Sequence, residues 1–131
     1  SFLLEMGARP WHILCSRSTK KFQKEMQALL DTSVFGEGCS IYINKDLWHM
    51  RSLLVTDPVA GIIGDTHAKW AARDAKIPLF RIGFPIIDRV NLHRSPVVGY
   101  TGAINILSMI ANKFLDIKDE TCEDQWFEMM R

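Results

Sequence analysis

Four short apolar runs, each separated from the next by a stretch long enough for a helix, constrain this chain more than any other feature. They are Pro10 to Cys15, Ser40 to Ile43, Ala60 to Gly64 and Pro78 to Gly83. Apolar runs this short, bounded by turn residues, read as strands covered on both faces rather than as helices. Parallel neighbours need a crossover of about a dozen residues or more between them, and every interval here is long enough for one. The pattern predicts an α/β fold, a Rossmann-like three-layer domain of about four parallel strands with flanking helices, forming a single domain over residues 1–131.

The intervals carry helix signals. From Lys20 to Leu30 the apolar Phe22, Met26, Leu29 and Leu30 fall on one side and Lys20, Lys21, Lys24 and Glu25 on the other. Asp46 can cap a helix through Leu47, Met50, Leu53 and Leu54, and Asp65 or Thr66 a shorter one containing Trp70, Ala71 and Arg73. A long helix is expected from about Thr101 to Leu115, with Ala103, Ile106, Leu107, Ile110 and Phe114 on one face. Gly36 and Gly38 read as a helix stop. The opening Ser1 to Met6 reads as the last turns of a helix capped by Gly7, so the chain is expected to be part of a longer protein.

Charge and composition narrow the classes of function. Sixteen basic residues face fifteen acidic ones, a formal charge of +1 with no long block of either sign, which argues against a nucleic-acid partner. The apolar runs fall well short of the roughly 20 residues that span a bilayer, so no membrane segment is expected. Three cysteines at wide spacings, Cys15, Cys39 and Cys122, do not suggest a disulfide framework and fit a reducing cytoplasm.

In parallel sheets ligands gather beyond the carboxyl ends of the strands, here around Cys15-Ser16, Asn44, Asp65-Thr66-His67 and the Gly83-Phe84-Pro85 turn. A phosphate cradle needs glycines after the first strand, whereas that turn reads Ser16-Arg17-Ser18-Thr19. His12 and Cys15, three apart in a strand, point to opposite faces and cannot share a metal. An iron–sulfur cluster usually needs about four thiolates, so three scattered cysteines do not build one unaided. No G-x-S-x-G elbow occurs. Catalytic, cofactor-binding and metal-binding residues are therefore not expected here, and capping by Asp65 beside an exposed His67 accounts for those two residues.

The stretch Arg81 to Arg94 stands apart. Arg81, Asp88, Arg89, His93 and Arg94 are ionisable residues set among Phe84, Ile86, Ile87, Val90 and Leu92. A guanidinium in a buried strand needs a carboxylate or carbonyls, from this chain or a partner, and full exposure of the apolar neighbours is costly. These five residues are expected to form a docking surface.

Four blocks carry a family resemblance. Asp46-Leu47-Trp48-His49-Met50-Arg51-Ser52-Leu53, Ile62-Ile63-Gly64-Asp65-Thr66-His67-Ala68-Lys69, Arg81 to Arg89 with Leu92-His93-Arg94, and Gly99-Tyr100-Thr101-Gly102-Ala103 resemble, in order and spacing, the C-terminal region of nitrogenase component 1 β-type subunits. Pro10 to Cys15 and the terminal Arg131 also fit. The resemblance implies a subunit of an α2β2 complex that reduces dinitrogen to ammonia. Its partners would be the α-type subunit, a second β subunit and a separate ATP-hydrolysing iron protein. It implies an iron–sulfur P-cluster and an iron-containing cofactor in that complex, and no ligand role for Cys15, Cys39 or Cys122, which stand outside the family's cysteine motif. It further implies that this region supplies packing and subunit contacts.

Many molybdenum-type β chains carry two histidines where this chain has Val90-Asn91, and a longer connection at Lys76-Ile77, so molybdenum, vanadium and iron-only types all stay open. Two other readings stand beside the leading one: a domain of the related scaffold on which the nitrogenase cofactor is assembled, and a free-standing α/β ligand-binding module.

Overall fold

The computed structural model describes residues 1–122, with the backbone but not the side chain of His93. The sequence from 123 onward, including the terminal Arg131 of the resemblance, lies outside the described residues. These residues form two compact units, one of Ser1–Ile62 with His67–Leu79, the other of Ile63–Thr66 with the chain from Phe80 onward.

The first unit opens with helix α1, Phe2–Glu5. Gly7 takes the left-handed conformation at φ +78°, and its N–H and that of Ala8 donate to the carbonyls of Leu4 and Leu3 at 3.0 and 2.9 Å. That is the glycine stop the sequence calls for. Strand β1, His12–Cys15, then pairs in parallel with β2, Ser40–Ile43, in the register His12 to Ser40 through Cys15 to Ile43. Helix α2, Lys20–Leu30, makes the crossover and begins where Thr19 accepts the Phe22 N–H. Its last residue explains a glycine. A Cβ on Gly36 would lie 2.2 Å from the Leu30 carbonyl oxygen, so Gly36 permits a close backbone approach rather than stopping the helix, which already ends at Leu30.

Helix α3, Leu47–Thr56, starts at Asp46, whose carboxylate accepts the His49 N–H at 3.0 Å. Helix α4, Lys69–Ala75, follows a 3-10 turn at Thr66–Ala68. Its N-cap is Ala68, with no side-chain capping bond, where the sequence suggested Asp65 or Thr66. Ala68, Ala71, Ala72 and Ala75 recur at helical spacing and carry no bulk beyond Cβ. Leu54, Met50, Ile62, Val59, Ile77 and Leu79 pack on that stripe as the core of this unit.

Strand β3, Ile62–Gly64, pairs with β4, Leu79–Arg81. The Ile62 N–H donates to the Pro78 carbonyl at 2.9 Å and the Ile82 N–H to the Gly64 carbonyl at 3.0 Å, a parallel pattern. The four expected strands are present, β1, β3 and β4 shorter than their apolar runs and β2 matching its own, hydrogen-bonded among the described residues as two parallel pairs. The second unit ends in α5, Gly99–Thr121, longer than expected at both ends. Its expected apolar face is partly buried, with Ile106 enclosed and Leu107 and Phe114 exposed. Gly102 is buried, and a Cβ there would lie 2.4 Å from the Val97 carbonyl carbon, so the helix start can sit on the preceding turn only with glycine.

Candidate functional site: a braced loop at the end of β4

Arg81 closes strand β4, and its side chain is only 11% exposed. Its demand for a carboxylate is met seven residues on. Nε donates to Asp88 Oδ1 at 2.9 Å and Nη2 to Oδ2 at 2.8 Å, the two-pronged geometry that makes guanidinium–carboxylate pairs strong and directional. Asp88 is 15% exposed on the side chain. Thr66, just past β3, completes the brace: its hydroxyl donates to Asp88 Oδ1 and accepts the Ile87 N–H, both at 3.0 Å. The Thr66 N–H donates to the Pro85 carbonyl at 3.1 Å, across a turn whose Phe84-Pro85 bond is cis. Arg89, half exposed, donates to the Asp88 backbone carbonyl at 2.6 Å and lies 3.5 Å from its carboxylate. The hydrogen bond from Arg81, then that from Thr66 and the charges of both arginines, outweigh partial burial and hold the Asp88 carboxyl well below the usual carboxylate range.

The brace fixes the loop while leaving Phe84, Ile87 and Val90 outward and Ile86 and Leu92 partly buried. Phe84 is 91% exposed, and Ile87 and Val90 lie nearly as open. Arg94 is exposed on a 3-10 turn at Leu92–Arg94, its N–H bonded to the Asn91 carbonyl at 2.9 Å. Of the residues read from the sequence, the structure thus joins Arg81, Asp88 and Arg89 in one network. Thr66 was expected as a helix cap and as one of the strand-end residues, not as a partner of Asp88. The one sequence signal for its role was a hydroxyl just past a strand end.

Ser16 and Asn44 line a cavity of about 530 Å³ beyond the ends of β1 and β2. Asn44, left-handed at φ +55°, holds the adjoining turn by accepting the Ser18 N–H at 3.2 Å. Lys45, Asp46, Trp48, His49 and Ser52, which sequence reasoning did not assign to a pocket, complete its lining, and Asp65 and His67 are not among these residues.

Among the described residues the donors do not assemble a site for an iron–sulfur cluster or a metal. Among the described residues no three His, Cys, Asp or Glu side chains gather closely enough to hold an ion. Burial pushes the Cys39 thiol up, away from the thiolate a cluster requires. His12 Nε2 lies 3.2 Å from the Asp57 carbonyl, and the Cys15 thiol contacts the Arg17 carbonyl at 3.6 Å.

Short parallel strand pairs joined by helical crossovers, with a charge-braced loop at a strand end, place the chain among Rossmann-like α/β proteins. The sequence model for nitrogenase component 1 type oxidoreductases matches residues 1–115, and the chain belongs to that family. It is 53% identical to a nitrogenase molybdenum-iron protein beta chain of Bradyrhizobium diazoefficiens over 88% of its length and 22% of that relative's. With the Azotobacter vinelandii protein of the same name, identity is 45% over 91% of this chain and 24% of the relative. A solved structure described as nitrogenase Cp1 at pH 6.5 superposes with a TM-score of 0.86 at 34% identity, covering 94% of this chain and 27% of that one. The chain therefore spans about a quarter of the length of the proteins it matches.

Proposed function

We propose that residues 1–131 form one C-terminal structural and subunit-interface domain of a nitrogenase component 1 β-type subunit, within a cytoplasmic complex that reduces dinitrogen to ammonia. The identity to named β chains over nearly nine-tenths of this chain carries the reading. The molybdenum-iron type is favoured over the vanadium and iron-only types because the relatives bear that name. In the complex the iron–sulfur P-cluster and the iron-containing cofactor belong to residues outside this chain. The partners are the α-type subunit, a second β subunit and the ATP-hydrolysing iron protein. Among the described residues no helix is long and apolar enough to cross a membrane.

The chemical part these residues take is to position a surface. Arg81 and Asp88 brace the loop from inside, and Arg89 and Arg94 are its polar rim, His93 being assigned to the same interface from the sequence alone. Phe84, Ile87 and Val90 are the side chains that enter the interface, a combination of apolar centre and charged rim that suits a stable protein contact. The experiment is co-expression of the full-length β-type chain with its α-type partner, carrying Ile87→Glu and Val90→Glu. Both residues are exposed in this chain, so folding of the loop is spared. The expected result is loss of the assembled complex on size exclusion, with dinitrogen reduction reduced in parallel. Normal assembly of the double variant would sink the docking role.

A further inference from the structure

The cavity beyond β1 and β2 shares no residue with the Phe84–Val90 loop, and its lining has a chemistry of its own. Three segments make its walls: Ser16 after β1, Asn44 to Asp46 after β2, and Trp48 and His49 on the first turn of α3. At about 530 Å³ it lies within the range of roughly 300–1,000 Å³ usual for small-molecule pockets, and it stands where parallel strands present their ligands. Two walls are set by the fold. Asn44 holds the turn after β1 by accepting the Ser18 N–H at 3.2 Å. The Trp48 indole is 71% exposed and yet positioned: the Arg51 guanidinium lies 5.5 Å from its ring centroid, and Arg51 is tied in turn to Asp74 of α4 at 2.7 Å. An aromatic ring held in place at the edge of a cavity is a stacking platform that loses little further freedom when another ring arrives.

The polar groups of the lining divide by what already occupies them. The Asp46 carboxylate is committed to α3, where it accepts the His49 N–H at 3.0 Å. Lys45, the cation of the lining, is exposed and enters no ion pair among the described residues. The His49 ring stands edge-on to Tyr42 at 5.0 Å, and its Nε2 is enclosed without a hydrogen-bond partner among the described residues, so this wall has polar capacity that the chain leaves unused.

We propose that this cavity binds a small anion carrying a planar aromatic ring, with the ring against Trp48 and the anionic group, a carboxylate or a phosphate, at the Lys45 ammonium beside the Ser16 hydroxyl. The sequence after β1 lacks the glycines of a phosphate cradle, and this site does not need them, because side chains rather than backbone N–H groups meet the anion.

The test uses the full-length chain in its assembled complex, purified without the iron protein, in equilibrium dialysis against two radiolabelled probes, AMP and indole-3-acetate. The expected result is saturable uptake of at least one of them, at one equivalent per chain, and which one binds tells a phosphate site from a carboxylate site. Lys45→Met and Trp48→Leu should each weaken that uptake at least roughly fivefold, as loss of a charged contact or of ring stacking does, whereas Trp48→Phe keeps a ring and should recover most of the affinity. A second measurement needs no variant to fold. On the unsubstituted complex, inorganic phosphate or acetate, a charge without a ring, and adenosine or indole, a ring without a charge, should each bind at least roughly tenfold more weakly than the matching complete probe. The proposal is overturned if both complete probes bind more weakly than about 1 mM, if Lys45→Met and Trp48→Leu bind as the unsubstituted complex does, or if the ringless or uncharged probes bind equally well.

Discussion

The alanine-faced core beneath α3 and the braced loop after β4 solve the problem of order by opposite means. In the first, Leu54 and Ile62 close on Ala68, Ala71 and Ala72, and the buried contact between the elements is apolar, with a half-exposed Arg51–Asp74 ion pair at 2.7 Å joining α3 and α4 outside it. In the second, charge-assisted hydrogen bonds from Arg81 and Thr66 to Asp88 fix a backbone from which Phe84, Ile87 and Val90 point outward. A region ordered by burial is finished when the chain folds. One ordered by an internal ion pair can keep its apolar side chains available, and that is what a surface awaiting a partner requires.

Leu54→Ala should break the first region most. Leu54 is 7% exposed and packs on the alanine stripe, which has no longer side chains to move into the gap. The expected loss is about 2–5 kcal/mol, read from urea unfolding followed by circular dichroism. A loss below about 1 kcal/mol would mean that the helices collapse onto the space and that the core is not close-packed.

Gly102→Ala tests the second unit by sterics alone. The added carbon would stand 2.4 Å from the Val97 carbonyl carbon, so the start of α5 must shift away from Val97–Val98. A cost of about 1–3 kcal/mol is expected, with amide exchange accelerating along the first turns of α5 and unchanged at the Leu54 core. Below it in size comes Asp46→Ala, which frees the His49 N–H at the head of α3 and should cost about 1 kcal/mol. Uniform protection changes in both units after either substitution would dissolve the distinction between them.

These substitutions also mark what the sequence could show. Lys20–Leu30 was legible to the residue because the apolar period is unbroken; the cap at Thr19 came with the structure. Asp46 was legible as a cap because a cap and its target lie three residues apart. That Arg81 must meet a carboxylate or carbonyls followed from its place in an apolar strand. That the carboxylate is Asp88 did not, because a loop of seven residues can return in many ways. Thr66 was harder still: its bond to Asp88 joins residues 22 apart and depends on the pairing of β3 with β4. Of the cavity, Ser16 and Asn44 followed from strand ends, whereas Trp48 and Ser52 enter it through the direction in which α3 leaves its cap.

The smallest signal is a slope, and it separates the two regions most cleanly. Asp88 has its carboxyl pKa lowered from the ordinary 3.8, chiefly by the Arg81 hydrogen bonds. A depressed native pKa means that the unfolded chain binds the proton more readily. The stabilising effect is therefore complete above the unfolded value and is lost as pH falls through about 4 and below. Amide exchange at Ile87, whose N–H is held by Thr66, should accelerate over that range. In Asp88→Asn the amide cannot titrate, so protection at Ile87 should be weaker at neutral pH and flat through the acid range. Amides of the Leu54 core, which contains no carboxylate, should show neither the slope nor its loss. An Ile87 amide whose acid sensitivity survives Asp88→Asn would show that the loop is held by something other than this ion pair, and the contrast between a buried core and a charge-braced surface would fail with it.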